Sequence, residues 1–93
     1  MMYRTITEEE CLENIRKDLI EKRKACDISK PEFADFLGVT KKAVYDFEKG
    51  RFTSYEMICK YLYTLYDEAG MIKIMNRIKT CFLEDISTRM KNN

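Results

Sequence analysis

Residues 29–50 read SKPEFADFLGVTKKAVYDFEKG, and their local chemistry specifies two short helices joined by a tight turn. Ser29 is placed to cap the first helix by accepting a hydrogen bond from a free backbone N–H, and Pro31 is tolerated in the first turn. Glu32 follows Ser29 at the three-residue spacing of a capping box. Phe33, Ala34 and Leu37 recur at helical spacing and give one apolar face, with Ala34 small enough to let two helices cross closely. Gly38 stands where a helix end takes a left-handed backbone. Val39 then plugs the turn, Thr40 caps a second helix, Val44 and Phe47 face inward, and Gly50 stops it. Two helices joined by a short turn containing glycine make a helix-turn-helix.

The segment resembles the helix-turn-helix of the phage-repressor and Cro-like (XRE) family of DNA-binding proteins. Ser29, Glu32, Phe33, Ala34, Leu37, Gly38, Val39, Thr40, Val44, Phe47, Glu48 and Gly50 match without a gap. The match extends back over the helix holding Leu19 and Arg23 and forward from Ser54 to Leu65, roughly half to two-thirds of the chain. The resemblance implies an all-α fold, a compact lambda-repressor-like bundle of four to five helices, with an extra amphipathic helix at the C-terminus. The expected organisation is an arm over 1–6, a helix-turn-helix domain over 7–69, and a C-terminal helix over 70–93.

In such a fold the second helix, about residues 40–49, enters the major groove with its N-terminal residues facing base edges. By the family's pattern, Lys41, Lys42, Ala43 and Asp46 fall on base-contact positions, and Tyr45 shares their outward face. Lysine can donate to guanine O6 and N7, and an alanine methyl can touch thymine. Asp46 departs from the more usual Gln or Arg; it can accept from a cytosine amino group but repels phosphates. Lys30, Thr40, Lys49, Arg51, Thr53, Ser54 and Tyr55 are the expected phosphate contacts, helped by free N–H groups at helix starts. Lys30 replaces a common Gln and supplies charge without two-ended bonding. The resemblance also pairs Arg23 with Glu48, a structural ion pair pinning the recognition helix by bidentate hydrogen bonds.

The 93 residues suit one domain, and 45% hydrophobic and 35% charged residues with one Pro and three Gly argue against disorder. Net charge is only +1, but its distribution is uneven. Residues 1–14 carry a net of −3, residues 15–51 a net of +3, and residues 52–93 a net of +1. The basic excess therefore lies on and beside the helix pair, a modest phosphate footprint. No signal peptide is expected, because Glu8, Glu9 and Glu10 dilute the first apolar residues. Without an apolar run of membrane-spanning length, no membrane partner and a cytoplasmic location are expected.

The four cysteines, Cys11, Cys26, Cys59 and Cys81, form no close pair, and the chain has no His. A zinc site lacks ligands, so no metal and no cofactor are expected. Cys26, Cys59 and Cys81 sit beside apolar neighbours and are expected as buried, reduced thiols. The chain also lacks a Ser or Cys beside a base, a phosphate-cradling glycine loop, and an acidic pair away from surface helix positions. No enzyme is expected.

Around the central stretch, Thr7 with Glu10 has capping-box spacing. The helix after it carries Leu12, Ile15, Leu19 and Cys26 on one face and a charged opposite face, where Lys22 and Lys24 are further candidates for phosphate. Residues 1–6 lack helical period and admit a free arm or one packed on a partner. A fourth helix, capped by Ser54, places Tyr55, Ile58, Leu62 and Leu65 on one face. The tyrosines Tyr55, Tyr61, Tyr63 and Tyr66 read as core or interface rather than as base-stacking groups. Gly70 is expected to end or kink this helix. Beyond it, Met71, Ile74, Met75, Ile78, Cys81, Phe82 and Ile86 form an amphipathic stripe that must fold back or bury against a second subunit. The preferred reading makes Met71, Ile74, Met75, Ile78, Phe82 and Ile86 a two-fold homodimer interface, and the stripe could instead receive another protein.

The leading expectation is a sequence-specific transcriptional regulator, a repressor binding double-stranded DNA at a near-palindromic operator as a homodimer. The alternatives are the antitoxin of a toxin–antitoxin pair, which shares the DNA-binding half, and an interaction adaptor that has lost DNA binding.

Overall fold

The computed structural model describes residues 8–91, with side chains described from 9 to 80. Five α-helices follow in order: α1 (Glu8–Ala25), α2 (Lys30–Leu37), α3 (Lys41–Glu48), α4 (Tyr55–Leu65) and α5 (Glu68–Lys91), with no strand among the described residues. The fold is an all-α bundle. None of these helices is long and apolar enough to cross a membrane.

Each short helix begins on a hydroxyl cap. Ser29 accepts from the Glu32 N–H while Glu32 reaches back to the Ser29 N–H, the complete capping box. Thr40 accepts from the Ala43 N–H at 3.1 Å and Ser54 from the Met57 N–H at 3.2 Å. Gly38 ends α2 at φ 70°, where a residue with a Cβ is strained. From there the Val39 N–H donates to the Ala34 carbonyl, fixing the turn between α2 and α3.

α1 runs through the middle of the assembly and packs against α3, α4 and α5, while α2 packs on α3 and α4. The core is one cluster built from Ile15 and Leu19 of α1, Phe33, Ala34 and Leu37 of α2, Val44 and Phe47 of α3, and Met57, Ile58, Tyr61 and Leu62 of α4. Three rings form its centre: Tyr61 meets Phe33 edge-on at 4.6 Å and Phe47 at 5.0 Å. Contacts of this kind add about 0.5–1.5 kcal/mol beyond area burial.

Several expectations are corrected. Gly70 does not end α4; the chain breaks at Tyr66 and Asp67, and Asp67 Oδ1 accepts the Gly70 N–H at 2.8 Å to start α5. A carboxylate suits that place because it satisfies a free donor at a helix N-terminus. Tyr55 is exposed, and the buried face of α4 is rotated to Met57, Ile58, Tyr61 and Leu62. Cys26 and Cys59 are free and exposed rather than buried. Cys26 misses the core because α1 stops at Ala25 and Asp27 turns the chain at φ 58°. Cys11 is buried and disulfide-bonded.

The C-terminal stripe also behaves differently from a free interface. Ile74 is buried in the chain's own core, and Met71 and Ile78 pack against it. The physical reason is that α5 lies along α1 and α4, which consumes these apolar positions internally. Arg77 adds a link to Asp18 on α1 at 2.6 Å. Of the expected dimer residues with described side chains, only Met75 is exposed, at 50%, next to Ile72 at 47%. The arm over 1–6, the Thr7 cap, and the side chains of Cys81, Phe82 and Ile86 lie outside the described residues.

Candidate nucleic-acid interface

α3 is two turns long and has two faces of opposite character. Val44 and Phe47 are buried, while Lys41, Lys42 and Tyr45 are exposed and Ala43 and Asp46 are half-buried. An eight-residue helix is marginal alone in water, so its shape depends on what holds its inner face.

Its C-terminal end is held by charge. Glu48 Oε2 accepts from Arg23 Nε at 2.8 Å, and Oε1 accepts from Arg23 Nη2 at 2.9 Å, the two-pronged geometry of a strong pair. Both side chains are almost fully buried, at 5% and 3% exposure. The third guanidinium nitrogen, Nη1, donates to the Ile28 carbonyl at 2.6 Å, so Arg23 also closes the link from α1 to α2.

Tyr61 completes this arrangement and is a residue that the periodic reading of α4 missed. Its hydroxyl donates to Glu48 Oε2 at 2.7 Å, tying α4 to the same carboxylate. Burial, followed by the hydrogen bond and charge of Glu48, raises the Tyr61 pKa well above the ordinary 10.0. Burial also raises that of Tyr66.

Tyr61→Phe keeps the ring packing and removes only the hydroxyl. The expected cost is about 1.5–3 kcal/mol, typical of a hydrogen bond to a charged group, read by urea denaturation at pH 7. Because the folded-state pKa is raised, the Tyr61 contribution is full below pH 10, the unfolded value, and is lost as pH rises above it. The alkaline fall in stability is therefore shallower in Tyr61→Phe than in the wild type; equal slopes contradict the buried hydroxyl.

On the outer face the candidates are partly brought together. The Lys30 ammonium lies over the Tyr45 ring, 4.6 Å from its centroid, joining the start of α2 to the exposed face of α3. Asp46 Oδ1 accepts from Arg51 Nη1 at 2.8 Å, so the carboxylate that stood out as repulsive to DNA carries a cationic partner. Lys49, Arg51 and Thr53 are exposed on the connection that follows. Thr40 and Ser54 use their hydroxyl oxygens as helix caps. Tyr55 is 48% exposed at the start of α4. Of the α1 candidates, Lys24 is exposed and Lys22 lies over the Tyr66 ring at 5.4 Å.

A separate open groove lies between α2 and α4. It is lined by Phe36, Leu37, Cys59, Lys60 and Tyr63, with Phe36 63% and Tyr63 83% exposed. Lys60 Nζ donates to the Leu37 carbonyl across its floor at 3.2 Å. The sequence places Tyr63 in the core or an interface and Cys59 in the core, and both are exposed here because they fall off the buried face of α4; Phe36 likewise falls off the apolar stripe of α2.

No protein-family model, curated protein or solved structure matches this chain.

Proposed function

We propose that the chain is a cytoplasmic, sequence-specific DNA-binding regulator of the phage-repressor and Cro-like kind, acting as a repressor. It binds a near-palindromic operator as a homodimer, with α3 in the major groove. The observation that carries this reading is α3 itself, a short helix locked from behind by the Arg23–Glu48–Tyr61 network. It turns Lys41, Lys42 and Tyr45 outward, with Lys30 and Arg51 on its flanks. A rigid reading helix with donors at its N-terminal end suits base-edge recognition. Met75 and Ile72 are the exposed large apolar side chains among the described residues of α5, and they offer a surface to a second copy.

The test is fluorescence anisotropy on duplexes tiled across the DNA upstream of the gene, at several salt concentrations, with random duplex as control. The expected result is tight, salt-sensitive binding to one tile. The double change Lys41→Ala, Lys42→Ala weakens it by at least about tenfold, since each good base contact carries about 1–3 kcal/mol of discrimination. Weak binding that is equal on all duplexes removes the proposed operator.

The exposed groove of Phe36 and Tyr63 favours a second reading, a protein-interaction module such as an antitoxin or adaptor. For the adaptor, which has lost DNA binding, Lys41 and Lys42 become Ala with no change in DNA affinity; the antitoxin keeps the DNA-binding half and is told apart by a small toxin encoded alongside.

A further inference from the structure

Asp46 and Arg51 are tied together twice. Gly50, at φ 77°, turns the chain at the end of α3. The Gly50 N–H then donates to the Phe47 carbonyl at 3.1 Å, and the Arg51 N–H to the Asp46 carbonyl at 3.0 Å. This six-to-one closure of the helix end returns Arg51 alongside the last turn. There Arg51 Nη1 donates to Asp46 Oδ1 at 2.8 Å. Backbone and side chain thus hold one arginine at one place.

The two partners are unequally buried. The Asp46 side chain is 19% exposed and the Arg51 side chain 61%. The carboxylate is mostly covered, and much of the guanidinium faces outward with donors beyond the one given to Asp46. Lys42 precedes Asp46 by one helical turn and Lys49 follows it by three residues, so the pair sits within the basic outer face of α3. A bare carboxylate at that place lowers affinity for any DNA. A carboxylate that orients an arginine fork fixes where the arginine can meet a phosphate, and phosphate contacts set the register of a reading helix on the duplex.

We propose that Asp46 is a positioning residue: it holds the Arg51 guanidinium against one DNA phosphate and so sets sequence discrimination through α3 rather than overall affinity. This rests on the DNA-binding reading above. It separates two effects that a simple charge argument merges. Removing the carboxylate tightens binding to random DNA because a repulsive charge is gone, yet loosens the register on the preferred site.

The experiment uses the full chain with two duplexes, one selected by the wild type from a randomised library and one random of equal length. The specificity ratio is measured for wild type, Asp46→Ala, Asp46→Asn, Arg51→Ala and the Asp46→Ala, Arg51→Ala double change. Asp46→Ala is expected to bind random duplex more tightly and to lose roughly fivefold in the ratio, the upper end for an exposed ion pair. Asp46→Asn, which keeps an oxygen acceptor for Nη1, recovers part of the ratio. In the Arg51→Ala background, Asp46→Ala leaves the ratio unchanged. The proposal is overturned if Asp46→Ala strengthens both duplexes equally, or if its effect persists undiminished without Arg51. If the wild type prefers no duplex over random, the DNA-binding reading itself fails, and this proposal falls with it.

Discussion

Replacing Glu48 by Ala is expected to destabilise the protein by about 3–5 kcal/mol, the usual effect of removing one member of a buried ion pair. The cost arises less from lost attraction than from what is left behind. Arg23, 5% exposed in its side chain, keeps a charge with two of its hydrogen bonds gone, and the Tyr61 hydroxyl loses its acceptor. For a domain of this size each kcal/mol lowers Tm by about 4–8 °C, so thermal unfolding followed by circular dichroism reads the effect directly. Glu48→Lys is worse, because two cations then share the site. The combined change Arg23→Met, Glu48→Leu, Tyr61→Phe removes every member at once and is expected to recover most of the lost stability. A fall below about 1 kcal/mol for Glu48→Ala, the range of exposed pairs, contradicts a buried network.

Phe47→Ala has the second large effect, about 3–5 kcal/mol, from lost burial plus the cavity left behind. Phe47 is 1% exposed and touches the rings of Tyr61 at 5.0 Å and Phe52 at 6.0 Å. It is the main apolar anchor of α3, so its loss frees the inner face of a helix too short to persist alone. The expected reading is a lower urea midpoint with little change in slope. Phe47→Leu, which fills most of the volume, costs much less. Equal losses for Ala and Leu indicate that the ring stacking, rather than the filled volume, dominates.

The parts of the fold legible in the sequence were those written in short-range chemistry. Ser29 with Glu32, Gly38 and Thr40 specify their turns within three or four residues, and the structure forms each as expected. The Arg23–Glu48 contact spans 25 residues, and no local rule reaches that far; it came from the family resemblance. Tyr61 was legible only in part. The pattern Met57, Ile58, Tyr61, Leu62 is a better helical stripe than one starting at Tyr55, but a tyrosine between Lys60 and Leu62 carries no mark of its acceptor. Cys26 continues the periodic apolar face of α1 in the sequence but lies just past the helix end at Ala25, so it is exposed. Ile74, buried in the chain's own core, marks a different limit: an amphipathic stripe states that it must be covered, and only tertiary packing states by what. On the outer surface, the charges of Asp46 and Arg51 were visible, but not that Gly50 folds one back onto the other.

The division of labour within α3 has an evolutionary consequence. Val44, Phe47 and Glu48 sustain the fold, whereas Lys41, Lys42 and Tyr45 point away from it. Exposed substitutions of this kind usually change stability by no more than about 0.5 kcal/mol. The outward positions can therefore drift and be replaced together while the scaffold stays intact, which makes the outer face of this helix a cartridge that can be exchanged independently of its support.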